Sequence, residues 1–244
     1  MKIRCYLPSD KWEGEVRLSG PEARHLTQVL RVSPGDEIVC FDGQGQEAEA
    51  VVRQVGRREV ELALGRRRTV PQEAWKVTLA AAVPGGGKFE QIIDQATQMG
   101  VSRIVPLACE RGVVRISPSE AGKKLVRWRQ VAVAAGKQSG SSRLPEIEPM
   151  TPWKQFLPAI EKGDRALIAA LEGPYADPGT ILSPGKGGSL LILIGPEGDF
   201  TPEEMAQADE QGAKRIWLGP TVLRCETAVV AALAIISHHL HETV

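Results

Sequence analysis

Residues 189–200 read SLLILIGPEGDF, and this stretch decides the fold. Its first six residues form a continuous apolar run, which is typical of a strand buried on both faces of a parallel sheet. The GPEGDF that follows is a glycine-containing loop, and TPEE at 201–204 has the pattern of a helix capping box with proline in the first turn. A buried strand, a glycine loop and a capped helix in this order predict a βα unit whose loop binds a ligand.

The same alternation of strand and helix patterns extends on both sides of this stretch. Apolar runs of strand length also lie at 75–83, 102–108, 166–171 and 214–218. Helices are predicted at 89–99, 119–137, 152–161, 202–211 and 226–241. Strands that alternate with helices predict a parallel, doubly wound α/β sheet.

The first 70 residues have a different pattern. Short strands with turn signals are predicted at 14–20, 36–46, 47–55 and 59–65, with one or two helical turns at 21–30. Their number and spacing indicate an antiparallel β-barrel. The basic run Arg66-Arg67-Arg68, which continues to Pro71, is interpreted as a linker. We therefore predict two domains, a β-barrel over 1–70 and an α/β domain over 71–244.

Composition and charge indicate a globular protein without a membrane span. The chain has 244 residues, no net charge and 42% hydrophobic residues, as globular proteins do. It contains no apolar run long enough to span a membrane and no apolar segment of a signal peptide at its start, so we expect a cytoplasmic protein. Basic residues exceed acidic ones by four over 71–150, whereas acidic residues exceed basic ones by five over 151–244. A polyanion is therefore expected to bind the first 150 residues.

The cysteines and histidines do not indicate a metal site. Four cysteines lie far apart with no C-x-x-C pair, which predicts reduced, mostly buried thiols. His238, His239 and His241 are interpreted as solvated residues favoured by the negative end of the last helix, and not as metal ligands.

Three loops follow the carboxyl ends of the last three predicted strands. They are residues 172–174 (EGP), 195–199 (GPEGD) and 219–224 (GPTVLR). Glycine lets the backbone approach a ligand closely, and the carboxyl ends of parallel strands are where such sheets bind ligands. The three loops together predict one ligand pocket.

Two glycine motifs are rejected as nucleotide sites. Residues 43–48 (GQGQEA) match the dinucleotide pattern, but a strand follows instead of a helix, so we interpret them as a hairpin turn. Residues 85–88 (GGGK) resemble a P-loop, yet Phe89 stands where a serine or threonine should hold magnesium. No Ser-His-Asp or Cys-His arrangement is evident, which weakens the case for a hydrolase.

The last predicted helix is small or apolar on every face, since 227–236 read TAVVAALAII. Such a helix must be buried all round, either inside one subunit or between two. In a chain of this length we favour a shared interface in a homodimer.

Several motifs, in order along nearly the whole chain, resemble the small-subunit ribosomal RNA uridine N3-methyltransferase family (RsmE) of the SPOUT superfamily. The most specific are 194–200 (IGPEGDF), 218–219 with 223–224 (LG and LR) and 226–228 (ETA). Weaker landmarks are 24–25 (RH), 29–31 (VLR), 41–45 (FDGQG), 95–97 (QAT), 110–114 (ERGVV), 127–128 (RW) and 138–139 with 143 (QS and R). The chain departs from the family at four positions: Asp199 replaces an expected glycine, Thr221 an arginine, Cys225 a threonine and Lys137 an acidic residue.

The resemblance implies a fold, a cofactor and partners. The fold is a PUA-like β-barrel followed by a SPOUT α/β domain with a trefoil knot. The cofactor is S-adenosylmethionine, the partner is 16S rRNA or the 30S subunit, and the enzyme is a homodimer without a metal. The residues expected to bind the cofactor are Leu171, Glu172, Gly195, Pro196, Glu197, Gly198, Leu218, Gly219, Leu223, Arg224, Cys225, Thr227 and Ala228. Those expected to contact RNA are Arg24, His25, Arg31, Gln138 and Arg143, the last two between the domains.

The resemblance also suggests how the reaction proceeds. Uridine N3 is a poor nucleophile until it loses its proton, and a cation near the uracil carbonyls stabilises the developing anion. We assign this role to Arg224, oriented by Glu197 or Glu226; the alternative is a salt bridge that ties the loop to the helix. Leu171 and Leu223 are expected to cover the adenine, or else to be ordinary core residues.

Three other functions stay open at this point. The first is methylation of transfer RNA or of a ribose 2′-oxygen by an enzyme of the same superfamily. The second is a non-catalytic RNA-binding assembly factor, which the intact pocket glycines argue against. The third, a nucleotide-dependent oxidoreductase, is weakened by the failed dinucleotide motif.

Overall fold

A computed structural model of the chain describes residues 2–12, 15–160, 165–182 and 187–240. The chain divides into two compact units. The first consists of Met1–Gln72 with Val133–Leu144, and the second of Glu73–Ala132 with Pro145–Val244. The return of Val133–Leu144 to the first unit is a feature that no local sequence pattern signals.

The first unit is built on a five-stranded sheet. Its strands are β1 (Ile3–Tyr6), β2 (Glu15–Ser19), β3 (Glu37–Phe41), β4 (Gln46–Val55) and β5 (Glu59–Thr69). The sheet order is β1-β3-β4-β5-β2. The four predicted strands pair antiparallel, whereas the unpredicted β1 joins β3 in parallel. A short helix α1 (Gly20–Arg24) continues as a π-helical turn over His25–Val29, and Leu26 there is buried in the core of this unit.

The prediction of a linker at Arg66-Arg67-Arg68 is wrong, because these residues form the end of β5. Arg67 pairs with Ala48 and Arg68 with Glu47 across the sheet. The Arg68 Nε lies 2.5 Å from a carboxylate oxygen of Glu47. Burial alone would raise the pKa of Glu47, but hydrogen bonds from Ser142, Arg68 and Arg4 hold it below its ordinary value. Arg68 therefore has an acidic partner on the neighbouring strand of the sheet.

The second unit contains a parallel sheet with helices on both faces, as predicted. Its strands are β6 (Trp75–Ala82), β7 (Arg103–Ala108), β8 (Glu146–Ile147), β9 (Thr151–Pro152), β10 (Arg165–Ala169), β11 (Gly188–Ile194) and β12 (Lys214–Ile216). Its helices are α2 (Lys88–Gln98), α3 (Pro118–Ser139), α4 (Trp153–Phe156), α5 (Pro178–Ile181), α6 (Pro202–Glu210) and α7 (Cys225–Leu240), of which α3 continues into the first unit after Ala132. The strand order is β12-β10-β11-β6-β7-β8, and β9 pairs with β7.

Two apolar cores cover the two faces of this sheet. One contains Leu79, Ile92, Ile192 and Val229, and so joins the strands to α2 and α7. The other contains Val105, Phe156, Leu193 and Met205, and joins them to α4 and α6. The alternation of inward residues along β6 and β11 toward both cores explains why these strands read as continuous apolar runs.

The helix predicted over 152–161 is shorter in the structure. It is α4 followed by a 3-10 turn at Leu157–Ala159, because Pro158 cannot donate the next α-helical hydrogen bond. Residue 161, at which it was predicted to end, lies outside the described residues, as does His241 at the end of α7. The structure also adds β8, β9 and α5, which are too short to give a periodic signal.

The isolated chain does not bury the last helix on every face, so burial inside one subunit is not found, and burial in a shared interface stays a prediction. One face of α7 is buried in the core, through Val229, Leu233 and Ile236 among others. The opposite face has Thr227 and Ala234 exposed, with Ile235 half-buried. An apolar helix face therefore remains uncovered within the described chain.

Candidate functional site

A cavity of about 240 Å³ lies at the carboxyl ends of three neighbouring strands, β10, β11 and β12. The loops predicted after β11 and β12 form its walls together with Leu171 just after β10 and the start of α7, whereas residues 172–174, the predicted loop after β10, do not line it. A parallel sheet brings the carboxyl ends of its strands to one edge, so loops far apart in sequence meet there. The predicted ligand pocket is therefore present in the structure.

Most of the predicted cofactor-binding residues line this cavity. They are Leu171, Gly195, Pro196, Glu197, Leu218, Gly219, Leu223, Cys225 and Ala228. Leu171 has 53% of its surface exposed, so the alternative that it is an ordinary core residue is wrong. Leu223 is half-buried and packs against the core at the pocket floor.

Four predicted residues do not line the cavity. The Glu172 carbonyl accepts a hydrogen bond from Arg215, and the Gly198 carbonyl accepts one from Arg111. Arg224 is exposed, and its carbonyl accepts the Ala228 amide at 2.8 Å in the first turn of α7. Thr227 is exposed in the same turn.

The lining extends beyond the residues expected to bind the cofactor. It also contains Asp199, Thr221 and Val222, which belong to the predicted pocket loops, and Ala169, Ala170 and Trp217, which belong to predicted strands. Trp217 and Val222 are 54% and 70% exposed, which leaves two large apolar side chains at the rim without cover from the described chain. Trp217 lies in a predicted strand and Val222 in a predicted pocket loop, and no pattern in the sequence singles out either as a rim residue.

The loop after β11 is held in shape by Asp199. This residue has a left-handed backbone (φ 58°), in which a non-glycine residue is uncommon. One carboxylate oxygen accepts the Phe200 amide at 2.8 Å, and the other accepts the Leu171 amide at 3.3 Å. Asp199 thus ties the loop after β11 to the loop after β10, and it does so at the position where the family resemblance predicts glycine.

The same loop is anchored at its other end by α6. Thr201 and Glu204 form the predicted capping box, since the Thr201 side chain accepts the Glu204 amide and the Glu204 carboxylate accepts the Thr201 amide. The second oxygen of Glu204 accepts the Glu110 amide at 2.8 Å. Arg111 donates to the Gly198 carbonyl at 2.7 Å. The segment after β7 therefore supports the loop after β11.

The loop after β12 offers its backbone to a ligand. Gly219 has φ 138°, a conformation that favours glycine. Among the described residues, no hydrogen bond involves the backbone amides and carbonyls of residues 218–223. Backbone polar groups beside an apolar cavity need a partner, and water or a bound ligand supplies it. A flat heteroaromatic ring with hydrogen-bonding edges has the chemistry that this arrangement fits.

A partly buried ion pair lies at the start of α7. Lys88, the last residue of the glycine-rich segment after β6, lies 3.3 Å from the carboxylate of Glu226. The second oxygen of Glu226 is buried and has no hydrogen-bond partner among the described residues. Burial and then the nearby charges of Glu197 and Glu226 raise the pKa of the adjacent Cys225 thiol to about 12. Cys225 is thus a neutral thiol at neutral pH and not a nucleophile.

The predicted orientation of Arg224 by Glu197 or Glu226 is not found. Glu226 pairs with Lys88 instead, and the part of the chain that the structure describes gives the Arg224 guanidinium no hydrogen bond or salt bridge. The alternative salt bridge from Arg224 to the helix is likewise absent there. The exposed guanidinium is left available to a ligand. Lys88 is a functional candidate that the sequence reasoning missed, although it follows the carboxyl end of a buried strand.

The predicted RNA contacts all fall in the first unit. Arg24, Arg31 and Gln138 are exposed, and Arg31 has a left-handed backbone (φ 52°). Burial, and then the charge of Lys137, lower the pKa of His25, so its imidazole is neutral at neutral pH. Arg143 donates to the carbonyls of Gln44 and Val70 at 2.6 and 2.8 Å.

These hydrogen bonds and ion pairs change how two residues of the first unit are interpreted. The Arg143 guanidinium, predicted to contact RNA, holds two chain segments together, which is a structural role. Lys137, at a position where the family resemblance predicts an acidic residue, lies 2.8 Å from Glu22 within the first unit.

Neither a metal site nor a membrane span is found in the described part of the chain. Among the described residues, no group of three or more His, Cys, Asp or Glu side chains is arranged to hold a metal ion. No helix within the same ranges is both long and apolar enough to cross a membrane.

Comparison with protein families assigns both parts of the chain. Residues 71–237 match the RNA methyltransferase domain, and residues 18–64 match the RNA methyltransferase PUA domain. The chain is 32% identical over 230 residues to ribosomal RNA small subunit methyltransferase E of Bacillus subtilis, covering 91% of this chain and 89% of that protein. It is 32% identical over 218 residues to the same enzyme of Mycobacterium bovis, covering 88% and 83%.

Solved structures have the same fold. Ribosomal RNA small subunit methyltransferase E from Neisseria gonorrhoeae, bound to S-adenosylmethionine, is 29% identical and superposes with a TM-score of 0.88 over 100% of both chains. A methyltransferase from Legionella pneumophila, also with bound S-adenosylmethionine, is 27% identical with a TM-score of 0.86 over 97% of both chains. Together with the sequence matches, these likenesses show that the chain belongs to the ribosomal RNA small subunit methyltransferase E family, with a PUA-like first unit and an α/β methyltransferase second unit.

Proposed function

We propose that this protein methylates N3 of a uridine in 16S rRNA of the small ribosomal subunit, with S-adenosylmethionine as the methyl donor. The observation that carries the proposal is the cavity at the ends of β10, β11 and β12, lined by loops with free backbone groups. Family membership supports the reaction class, and the bound cofactor in the Neisseria and Legionella structures supports the donor.

The residues of the cavity fit this cofactor. The backbone of 218–223 supplies hydrogen bonds for the adenine edge, and Leu171 and Leu223 supply apolar cover for its ring. Pro196, Glu197, Cys225 and Ala228 line the remainder of the wall. When bound, S-adenosylmethionine supplies an electrophilic methyl group on a positively charged sulfur.

The chain's own contribution to the reaction is placement and electrostatics. Methyl transfer needs the acceptor atom in line with the methyl group, so rigid loops account for much of the rate. Asp199 and the capping box at Thr201 supply that rigidity by fixing the loop after β11. The exposed Arg224 guanidinium, which has no partner among the described residues, stabilises the negative charge that develops on the uracil when N3 loses its proton.

The target base must leave its stack to enter the cavity. RNA-modifying enzymes accept a base that is single-stranded or flipped out, and phosphate contacts then set affinity without choosing the sequence. Arg24 and Arg31 in the first unit are exposed cations suited to such phosphate contacts. The lowered pKa of His25 keeps its imidazole uncharged, so His25 is suited to donate a hydrogen bond from a neutral ring.

The proposal includes a homodimer, a trefoil knot and a cytoplasmic location. The uncovered apolar face of α7 supports the dimer, since an exposed apolar helix face is stabilised by a second copy of the same surface. The convergence of three separate loops on one cavity is compatible with a knotted chain. Ribosomal RNA as substrate supports a cytoplasmic enzyme. These three features are inferences from family membership and from the residues named.

The test is a methylation assay with three RNA substrates. Purified protein is incubated with labelled S-adenosylmethionine and, separately, naked 16S rRNA, assembled 30S particles and bulk tRNA. Modified nucleosides are then identified by mass spectrometry. We expect label as 3-methyluridine in 16S rRNA or in 30S particles. Label on tRNA or on a ribose oxygen would contradict the proposed substrate but would still support S-adenosylmethionine as the methyl donor. No label despite calorimetric binding of S-adenosylmethionine would point to a non-catalytic RNA-binding factor.

A further inference from the structure

A strongly basic surface lies on the second unit, apart from the RNA contacts assigned to the first. Over residues 110–129 the chain has six lysines and arginines against two glutamates. All six cations are exposed: Arg111, Arg115, Lys123, Lys124, Arg127 and Arg129. We call this surface the basic strip. It consists of the segment between β7 and α3 and of the first half of α3.

The segment between β7 and α3 presents its residues in strict alternation. Val114 and Ile116 point inward and pack against the core, whereas Arg111, Val113 and Arg115 point outward. Val113, which lies between Arg111 and Arg115 on the outward side, is 71% exposed. Packing of the inward residues fixes the backbone, so the outward Arg-Val-Arg row is held in place rather than free to collapse.

The basic strip begins at the edge of the proposed active site. Arg111 donates to the carbonyl of Gly198 in the loop after β11. A Cβ atom placed on Gly85, in the loop after β6, would lie 3.7 Å from a methyl group of Val113. Both loops follow carboxyl ends of the parallel sheet, where the cavity lies. A ligand that leaves the cavity on this side therefore meets the strip.

The positive charge of the strip is only partly offset, by Glu90 beside Arg127 and by Glu120, whose pKa is lowered by hydrogen bonds from Ser117 and by the charges of Lys124 and Lys123. Arg127 makes a double hydrogen bond with Glu90, and the carboxylate of Glu120 accepts hydrogen bonds from Ser117. Four cations of the strip make no side-chain hydrogen bond or salt bridge within the residues that the structure describes: Arg115, Lys123, Lys124 and Arg129. Exposed cations that outnumber the nearby carboxylates create a positive potential, which attracts a polyanion.

We propose that the basic strip binds the phosphate backbone of the RNA strand whose base occupies the cavity. Phosphates pair with Arg115, Lys123 and Lys124, and the exposed Val113 offers an apolar contact to an unstacked base. The inference rests on the proposed function, because the cavity is taken as the place of the target base. It makes RNA binding a property of both units instead of the PUA-like unit alone.

The test compares two double variants that remove the same charge. Lys123→Ala with Lys124→Ala removes two cations of the strip. Lys76→Ala with Lys214→Ala is the matched control, because both lysines are exposed at the amino ends of parallel strands, away from the cavity. Binding of 16S rRNA transcript is measured by filter binding over a range of salt concentrations, without cofactor. S-adenosylmethionine affinity is measured by calorimetry.

The strip variant should bind the transcript about tenfold more weakly at low salt. For this variant, the plot of log binding constant against log salt concentration should have a slope that is smaller in magnitude by about 1.4. Each RNA phosphate that the protein no longer neutralises lowers that magnitude by about 0.7. Its S-adenosylmethionine affinity should equal that of the unchanged protein. Transcript binding equal to the control variant overturns the strip. A weakening seen only with 30S particles also overturns it, since it would indicate a ribosomal protein partner. RNA binding that depends on the strip without any methyl transfer supports the strip and overturns the proposed reaction.

Discussion

Asp199 holds a left-handed backbone conformation inside the loop that lines the cavity. Aspartate tolerates this conformation better than most residues because its short carboxylate bonds nearby amides. Here it bonds the amides of Phe200 and Leu171. A departure from the family's glycine thus exchanges backbone freedom for a tether between two pocket loops.

Substitution of Asp199 separates the tether from the backbone strain. Asp199→Asn should keep the left-handed backbone but only one of the two hydrogen bonds, since an amide has a single acceptor oxygen, so its cofactor affinity should lie between those of the unchanged protein and Asp199→Gly. Asp199→Gly should remain stable but bind S-adenosylmethionine more weakly, because the tether is removed. Asp199→Ala should lower the free energy of unfolding by about 1–2 kcal/mol, because alanine would adopt the unfavourable left-handed backbone conformation without hydrogen bonds to compensate for it. Urea unfolding and calorimetry measure both quantities, and an alanine variant as stable as the glycine variant would contradict the argument.

Gly219 and Gly212 provide a matched pair of glycines. Both have positive φ, at 138° and 91°, and a Cβ on either would meet nothing within 4 Å. Alanine at either position should therefore destabilise the fold through the backbone alone, by about 1 kcal/mol. Only Gly219 lines the cavity, so only Gly219→Ala should weaken S-adenosylmethionine binding. Equal cofactor affinities for the two variants in calorimetry would remove Gly219 from the site.

Prediction at the residue scale succeeds where the backbone decides and fails where side-chain partners decide. Gly195, Gly219 and Ala228 line the cavity as predicted because loop position follows from strand order. The pairing of Glu226 with Lys88 was missed, because those residues are far apart in sequence and meet only through the sheet. Arg143 was assigned to RNA, although its donors are used by nearby carbonyls.

At the scale of elements, long periodic segments were predicted well and short ones were not. The five main parallel strands and the helices α2, α3, α6 and α7 lie within a few residues of their predicted bounds. The strands β8 and β9 have two residues each, and their pairing with β7 comes from tertiary packing. The arginine run at the end of β5 gives no strand signal by itself, and the partner of Arg68, Glu47, lies on another strand.

The cap of α6 is an element with consequences for the site. Thr201→Ala removes the side-chain acceptor for the Glu204 amide, which should cost about 1 kcal/mol of unfolding free energy. In a chain of this size that corresponds to a melting temperature lower by about 2–4 °C. Thr221→Ala, at an exposed loop threonine, is the control and should leave the melting temperature unchanged. A thermal melt in which both variants behave alike would show that the cap does not hold the helix.

At the scale of the whole molecule, the two faces of α7 have different surroundings. One face completes the core of the second unit through residues such as Val229 and Leu233. The other face is apolar and uncovered within the described chain, as a shared interface requires, although the sequence does not say which face that is, since a helix that is apolar all round gives no direction to its faces. A closed twofold dimer covers such a face with its own copy and leaves no apolar edge for further association.

The proposed dimer can be tested on α7 with a charge. Ala234 is exposed on the uncovered face of α7, so Ala234→Glu places a carboxylate that the isolated chain tolerates in water. In a dimer through this face the charge would be buried without a partner, and such burial costs several kcal/mol. Light scattering after size-exclusion chromatography should therefore show a dimer for the unchanged protein and a folded monomer for Ala234→Glu. Ala206→Glu, at an exposed alanine of α6, is the control and should stay dimeric. A dimeric Ala234→Glu variant would place the interface elsewhere, and a monomeric unchanged protein would remove the dimer from the proposed function.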